Sequence, residues 1–315
     1  MEQNRTKWLD YLATRPERKC GRYAPSPSGE LHLGNLQTAI LAYLQCRAMG
    51  GVFVMRMEDV DAKRVVPGSA EGILGDLKTI QIRWDEGPQI GGPYGPYVQS
   101  QRSDIYESAL LFLKEKGLLF PCFCTRKEIK IAAQNEPGKT IVYPGTCRDL
   151  SLDEQKEKGK TRSPSWRFRV PDTKIKVQDR LCGAFSSNLK TDVGDFVLKR
   201  ADGIYSYQIA VVVDDILMGI SDIVRGEDLL ESIPRQGVLF QALETPRLPN
   251  FWHVPLLKNK EGEKLSKRND SAGLARYLEK HSIEDLFDFF CENLGVPKGS
   301  LFHQRSLEDL FFLLR

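Results

Sequence analysis

The sequence lacks a long apolar run, an apolar leader and a strong net charge, and each absence excludes a class of protein. No stretch of about 18 uncharged apolar residues occurs, so we expect no membrane-spanning segment. Residues 1–19 are charged and lack an apolar signal core, so secretion is not indicated. The net charge of +3 is too small to indicate nucleic-acid binding, although local basic clusters could contact a phosphate backbone.

A disulfide framework is also absent from the pattern of cysteines. The number of cysteines, seven, is odd, and all but one group of them are scattered along the chain. This usage is typical of reduced thiols in a cytoplasmic protein. The apolar fraction of 41% and the charged fraction of 28% are those of an ordinary soluble globular protein. A length of 315 residues favours two or three structural units.

The most informative stretch is a loop, 22–35, which contains two prolines and leads into an apolar, helix-compatible segment, 36–48. Proline fixes φ, and serine and glycine let backbone amides approach a ligand, so the loop has the composition of a preformed turn before a helix. The N-terminus of a helix presents unpaired N–H groups and a positive dipole end, which suit phosphate. On composition alone, a proline-rich loop before a core helix explains the stretch equally well.

Strand, loop, helix and strand follow one another within about forty residues. Residues 20–23 and 52–57 have strand patterns, and Gly50-Gly51 ends the helix between them. Such a βαβ unit predicts a parallel sheet, which binds ligands at the carboxyl ends of its strands. Glu58 follows the second strand and should face the same rim as Arg22. A carboxylate and a guanidinium in one crevice could hold a zwitterion. The neighbouring Asp59 and Asp61 fit a solvated strand end.

The sheet pattern resumes in the second half of the chain. Strands are expected over 195–198, 204–207 and 209–213, the last of which ends at Asp214-Asp215. The stretch 223–228 repeats the order of strand, arginine, glycine and acids, so Arg225 suits either a bound carboxylate or a surface salt bridge. Helices are expected over the ranges 69–83, 104–117, 229–243 and 271–315.

Three of the seven cysteines, Cys122, Cys124 and Cys147, lie within twenty-six residues on loop-forming sequence. Zinc takes four tetrahedral ligands, commonly cysteine or histidine, and the segment has no histidine. The fourth ligand would be water, a carboxylate or the phenolate of Tyr143. Buried reduced thiols are the alternative.

Two basic segments are candidates for anionic partners. The strand at 165–170 carries Arg167 and Arg169 beside aromatic residues, and it could face nucleic acid or simply solvent. A glycine turn and the segment Lys264-Leu265-Ser266-Lys267-Arg268 follow an apolar strand. A flexible basic loop of this kind could close over a polyphosphate and stabilise charge that grows at an α-phosphoryl group.

The pairing of His32-Leu33-Gly34-Asn35 with Lys264–Arg268 resembles the two signature motifs of class I aminoacyl-tRNA synthetases. The stretches 22–29, 55–61 and 210–228 are closer still to the glutamyl branch. Asn35 stands where other class I enzymes often have a second histidine, and its amide can donate to a phosphate without carrying charge. The chain ends about 45 residues after the second motif, which leaves no room for the anticodon-binding domain of glutamyl-tRNA synthetases. In this respect the chain is similar to their truncated paralogues, the glutamyl-queuosine tRNA(Asp) synthetase family. The residues at 64–68, 207–208 and 228–230 also resemble that family.

The resemblance implies an α/β fold: a Rossmann-like catalytic domain with a parallel sheet, an inserted zinc-containing, acceptor-type subdomain and a short C-terminal helical subdomain. We expect an N-terminal extension at 1–19, catalytic halves at 20–121 and 195–263, the insert at 122–194, and the lysine loop with the helical subdomain at 264–315. The cysteine set matches the zinc site of the family, with Tyr143 as fourth ligand.

The resemblance also implies substrates and roles. L-Glutamate and ATP with Mg²⁺ would form glutamyl-adenylate, and the glutamyl group would pass to the queuosine base of tRNA(Asp) on a monomeric enzyme. The residues that would bind glutamate are Arg22, Tyr23, Ala24, Pro25, Ser26, Glu58, Tyr207 and Arg225. ATP would be bound by His32, Gly34, Asn35 and Lys267. The catalytic residues would be His32, Asn35, Lys264 and Lys267, and the two lysines would stabilise the transition state.

Three other functions stay open on the sequence. One is a shortened glutamyl-tRNA synthetase that charges the 3′ end of tRNA(Glu). Another is a catalytically inactive tRNA-binding module, against which the intact His32, Glu58, Arg225 and Lys267 argue. The third is an adenylating enzyme that acts on a protein or a small molecule.

Overall fold

The computed structural model describes residues 2–133, 141–245, 247–257 and 273–302. The predicted transition-state lysines, Lys264 and Lys267, lie outside the described residues. Within these ranges the helices are too short or too polar to reach across a lipid bilayer.

A six-stranded sheet forms the centre of the molecule, as predicted for an α/β protein. Its strands follow the order β2 (Val52–Met55), β1 (Cys20–Tyr23), β8 (Asp222–Gly226), β9 (Asn250–Val254), β5 (Lys174–Asp179) and β6 (Gly183–Asn188). All neighbouring pairs are parallel except the hairpin β5–β6. This hairpin comes from the expected insert, yet it extends the large sheet through a pairing of Asp179 with Phe251.

Successive residues of β2 and β8 point to opposite faces of this sheet, and each face carries its own core. Val54 and Ile223 belong to one core, whereas Phe53, Met55 and Val224 belong to the other. A parallel sheet buried on both faces needs near-continuous apolar strands, which is the pattern of 52–57. The helices that cover the two faces and the edges are α1 (Glu2–Ala13), α2 (Leu33–Ala48), α3 (Ser69–Thr79), α4 (Ser103–Glu115), α7 (Tyr207–Leu217), α8 (Ile233–Ala242), α9 (Leu274–Leu278) and α10 (Ile283–Leu294).

A second, antiparallel sheet of three strands stands beside the first. Its order is β3 (Leu119–Cys122), β4 (Ser165–Phe168) and β7 (Phe196–Lys199). Two short helices with capping boxes, α5 (Arg126–Ala132) and α6 (Leu152–Gly159), flank it. A small core forms around β3 from Phe120, Cys122, Phe123, Tyr143 and Cys147.

The strands predicted at 204–207 and 209–213 are wrong. A turn lies at 201–203, and residues 204–206 are irregular apart from a bridge between Tyr205 and Lys199. The helix α7 begins at Tyr207. Every residue of α7 from Ile209 to Leu217 is buried. A helix buried on all sides has no polar face, and its apolar run cannot be distinguished from a buried strand by periodicity. The helix predicted at 229–243 begins instead as a 3-10 segment, Glu227–Ser232, and becomes α8 where Pro234 stands in its first turn.

Candidate active site

A cavity of about 510 Å³ opens at the carboxyl ends of the central strands β1 and β8. This is the position at which open α/β sheets bind their ligands. The structure brings together there every predicted glutamate or ATP residue that it describes: Arg22, Tyr23, Ala24, Pro25, Ser26, His32, Gly34, Asn35, Glu58, Tyr207 and Arg225.

The floor of this cavity is a buried ion network centred on Arg56. The Arg56 guanidinium is fully buried and lies 3.0 Å from Glu58 Oε1, 2.8 Å from Asp215 Oδ1 and 3.6 Å from Asp214 Oδ2. Asp214 also accepts hydrogen bonds from Arg102 Nε at 2.6 Å and from Tyr106 Oη at 2.9 Å. A buried network in which each carboxylate has a cationic partner holds β2 and α7 in one fixed relation beneath the site.

Sequence reasoning missed Arg56 and Arg102 and misread the setting of Asp214 and Asp215. A signal was present, because each of these charges except Arg102 interrupts an apolar run, 52–57 or 209–217. A charge inside a buried element needs a partner of opposite sign. The two runs therefore had to approach one another.

Arg22 and Glu58 face the cavity from neighbouring strands. Arg22 Nε lies 3.2 Å from Asp215 Oδ1, and its Nη1 donates to Val224 O at 3.3 Å. Although burial raises the pKa of the Asp215 carboxyl, Arg22 and Arg56 hold that pKa below its usual range. Burial raises the pKa of Glu58, against the opposing effect of Arg56 and Arg22. The site therefore offers a guanidinium and a carboxylate, both already oriented by buried partners.

Arg225 enters the same cavity from β8 but has neutral partners. Its Nε donates to His253 Nε2 at 2.9 Å and its Nη1 to Gln236 Oε1 at 2.7 Å. Within the described ranges no carboxylate makes an ion pair with Arg225, and its Nη2 is buried without a hydrogen-bond partner. The alternative of a surface salt bridge is wrong, since Arg225 is only 4% exposed.

The N-terminus of α2 forms another wall of the cavity. His32 caps the helix, because its Nδ1 accepts a hydrogen bond from the Asn35 amide at 3.2 Å. Tyr23 Oη donates to Asn35 O at 3.2 Å and so ties the strand end to the helix. A Cβ added at Gly34 would lie 3.2 Å from the His32 ring and 3.4 Å from Leu257 Cβ. A side chain at position 34 would therefore press on the capping imidazole.

The cysteine cluster lies away from this cavity, against the small sheet. The Sγ atoms of Cys122, Cys124 and Cys147 lie within 4.8 Å of one another, so the three thiols could hold a metal ion. Cys124 Sγ is 3.5 Å from Cys147 Sγ, and Tyr143 Oη is 3.3 Å from Cys122 Sγ. Tetrahedral zinc with Zn–S bonds of about 2.3 Å sets its sulfur ligands about 3.8 Å apart. The donor set therefore fits zinc, with the phenol oxygen beside the three sulfurs.

Arg167 belongs to this cluster and does not face solvent, which corrects the prediction of a nucleic-acid-binding strand there. Its guanidinium stacks on the Tyr143 ring at 3.9 Å from the centroid and donates to Asp195 O at 2.9 Å. Despite the opposing effect of burial, Tyr143 and Arg167 lower the pKa of the Cys122 thiol. Arg169 is partly exposed, but it is paired with Asp149 at 2.8 Å.

Comparison with known proteins is consistent with this geometry. Residues 20–295 match the family model of "tRNA synthetases class I (E and Q), catalytic domain". The chain is 47% identical over 262 residues to the Glutamyl-Q tRNA(Asp) synthetase of Symbiobacterium thermophilum, covering 81% of this chain and 80% of that protein. It is 47% identical over 284 residues to the protein of the same name from Nitratidesulfovibrio vulgaris, and the match covers 89% of this chain and 83% of that protein.

The fold agrees with a solved structure of a glutamate tRNA ligase from Elizabethkingia meningosepticum in complex with its amino acid. The two are 37% identical with a TM-score of 0.72, and the match covers 80% of this chain. This chain spans about half of that structure, 52% of its length.

Proposed function

Since the chain belongs to the class I tRNA synthetases of the glutamyl and glutaminyl type and is a ligase, we propose that it activates L-glutamate with ATP and transfers it to the queuosine base of tRNA(Asp). The observation that carries the first half is the charge pattern of the cavity. Arg22 and Arg225 present two guanidinium groups, and Glu58 presents one carboxylate. Glutamate has two carboxylates and one ammonium, so each pole has a partner of opposite sign.

In the proposed first step, an oxygen of the glutamate α-carboxylate attacks the α-phosphorus of ATP. A new P–O bond forms, the bond to the β-phosphate bridge breaks, and pyrophosphate leaves. The N-terminus of α2 supports phosphate binding through the Gly34 amide and the side-chain amide of Asn35, while the backbone amide of Asn35 stays bonded to His32 in the capped turn. Mg²⁺ would accompany the phosphates of ATP and neutralise their charge. Lys264 and Lys267 would stabilise the charge that grows as the α-phosphorus is attacked.

In the proposed second step, a hydroxyl of the queuosine base attacks the carbonyl carbon of the adenylate. The ester bond forms, and AMP and a proton leave. A second cavity of about 250 Å³ supports an acceptor beside the glutamate site, since both cavities are lined by Ser26, Glu58 and Tyr207. Identity of 47% to proteins named Glutamyl-Q tRNA(Asp) synthetase, against 40–41% to proteins named glutamate–tRNA ligase, favours queuosine over the 3′ end.

The experiment that tests the function is incubation with labelled glutamate, ATP and tRNA prepared from cells with or without queuosine. We expect labelling only when queuosine is present. Removing the 3′-terminal adenosine should leave this labelling unchanged, because the acceptor lies in the anticodon. Labelling that needs the 3′ adenosine would instead identify a glutamyl-tRNA synthetase. Glutamate-dependent pyrophosphate exchange without any labelled tRNA would favour an adenylating enzyme with another acceptor.

We also propose that zinc is held by Cys122, Cys124, Cys147 and Tyr143, where it would fix the cysteine loops to the small sheet. Replacing Cys147 with serine should reduce bound zinc from about one ion per chain to a small fraction of that, because one of four ligands is lost. Elemental analysis of the purified protein measures this. The matched control is Cys182→Ser, an exposed thiol outside the cluster, which should keep the zinc of the wild type. Absence of zinc from wild-type protein prepared without chelators would contradict the proposal.

A further inference from the structure

Arg225 is oriented from behind by two residues that the sequence did not single out. His253, on β9, accepts from Arg225 Nε, and its other ring nitrogen, Nδ1, lies 2.6 Å from Asp179 Oδ2. Asp179, at the end of β5, and His253 are 0% and 1% exposed. The three side chains form a line, Asp179, His253 and Arg225, that runs from the interior to the cavity.

The hydrogen-bond geometry fixes the tautomer of His253. A carboxylate can only accept, so His253 Nδ1 must carry the hydrogen that bonds to Asp179 Oδ2. An arginine Nε–H can only donate, so His253 Nε2 must present its lone pair to Arg225. Burial and the nearby Arg225 lower the pKa of His253, although Asp179 opposes them, which agrees with a neutral ring.

Asp179 is itself held in place. Its Oδ1 accepts from the backbone amides of Leu181 at 2.9 Å and Cys182 at 2.8 Å. Those bonds and the His253 bond lower the pKa of the Asp179 carboxyl, in spite of its burial. A fixed carboxylate of this kind can hold one tautomer of the neighbouring imidazole, as in a hydrolase triad.

We propose that Asp179 and His253 are positioning residues, which orient the Arg225 guanidinium by tautomer and thereby set the affinity of the enzyme for the carboxylate of its amino-acid substrate. This inference rests on the proposed function. A neutral imidazole suits the task better than an acid in contact with Arg225. The neutral ring fixes the direction of the guanidinium through Nε without neutralising its positive charge. Nη2, which has no hydrogen-bond partner, is left for the ligand.

The decisive variant is Asp179→Asn, which changes the tautomer with little change in shape. The asparagine oxygen can still accept from the Leu181 and Cys182 amides, but its NH₂ group donates to His253 Nδ1. The hydrogen then moves to Nε2, which faces the Arg225 Nε–H donor to donor. We expect the KM for glutamate in ATP–pyrophosphate exchange to rise about 10- to 100-fold, as for a buried donor that loses its acceptor. The KM for ATP should change less than about twofold, since Arg225 faces the amino acid in the proposed function.

A pair of variants at His253 gives the matched control. Glutamine at position 253 offers a side-chain oxygen as an acceptor for Arg225, whereas phenylalanine offers none. We therefore expect His253→Phe to raise the KM for glutamate much more than His253→Gln does. Adding Asp179→Asn to His253→Phe should raise the KM for glutamate little further, because the link from Asp179 to Arg225 through the imidazole is already lost.

The outcomes separate this inference from the proposed function. If the wild type gives no glutamate-dependent exchange, the proposed function fails. If the wild type exchanges while folded Asp179→Asn keeps a normal KM for glutamate, the positioning role is rejected. Equal rises in the KM for ATP and for glutamate would also reject it, since they would indicate a general loss of structure. Should Asp179→Asn fail to fold, equal KM values in the two His253 variants would overturn the proposal.

Discussion

Replacing Arg56 with methionine should lower the free energy of unfolding by about 3–5 kcal/mol, the usual cost of breaking a buried ion pair from one side. Methionine fills much of the volume of the aliphatic part of arginine, but it leaves three carboxylates with two remaining cations. Asp214 keeps Arg102 and Asp215 keeps Arg22, whereas Glu58 loses its only direct ion pair among the described residues. The midpoint of urea denaturation measures the loss, provided that the slope of the transition is unchanged.

The matched control for this variant is Arg47→Met. Arg47 pairs with Asp85 at 2.6 Å, but both side chains are partly exposed, at 22% and 42%. A pair of this kind contributes at most about 1 kcal/mol. Equal losses of unfolding free energy in Arg56→Met and Arg47→Met would contradict the view that the buried network stabilises the floor of the site.

The Arg56→Met deficit should also depend on pH, with a sign set by Glu58. Burial already raises the pKa of Glu58 in the presence of Arg56. Without Arg56, the folded-state pKa rises further above the unfolded value of about 4.3, so the folded variant binds the proton more readily than the unfolded chain. Lowering the pH from 7 towards 5 should therefore narrow the gap between variant and wild type.

The part of the site that could be predicted from sequence is the part determined by local order along the chain. A βαβ unit fixes both strand direction and the rim on which the strand ends meet. Arg22 and Glu58 each lie within three residues of such an end, so their meeting in one cavity followed without knowledge of the rest of the chain. Arg225 was predicted from the similar order of strand, arginine, glycine and acids at 223–228, and it reaches the same cavity because β8 is a neighbour of β1.

The part that could not be predicted depends on contacts between distant segments. Asp179 and His253 are 74 positions apart and meet only because β5, the first strand of the hairpin, pairs with β9. An antiparallel hairpin beside parallel strands leaves no periodic signal that names its partner. The setting of Asp214 and Asp215 was missed for a different reason. Residues 209–217 of α7 are all buried, and the apolar run before the two aspartates was read as a strand.

These long-range contacts bear on the second large effect, which we expect from Arg225→Gln. Glutamine can keep a hydrogen bond to His253 or Gln236 but carries no charge for a substrate carboxylate. Removing one partner of a buried charge pair costs about 2–4 kcal/mol, so the KM for glutamate should rise roughly 30- to 1,000-fold. The KM of Arg225→Lys for glutamate should lie between those of the wild type and Arg225→Gln. An ammonium keeps the charge but cannot donate in the fixed directions that His253, Gln236 and a ligand require.

Lys267→Ala is the matched contrast, because the two cations are proposed to act on different substrates. Lys267 would stabilise charge that develops during attack on the α-phosphorus, so its loss should lower kcat by about 10- to 1,000-fold, by analogy with loss of one oxyanion donor. The KM for glutamate should stay within a few-fold of the wild type, whereas Arg225→Gln should change mainly that KM. Steady-state pyrophosphate exchange at varied glutamate and varied ATP separates the two patterns. Near-normal exchange in Lys267→Ala would reject its role, and a loss of kcat in Arg225→Gln without a rise in the KM for glutamate would mean that Arg225 does not bind the amino acid.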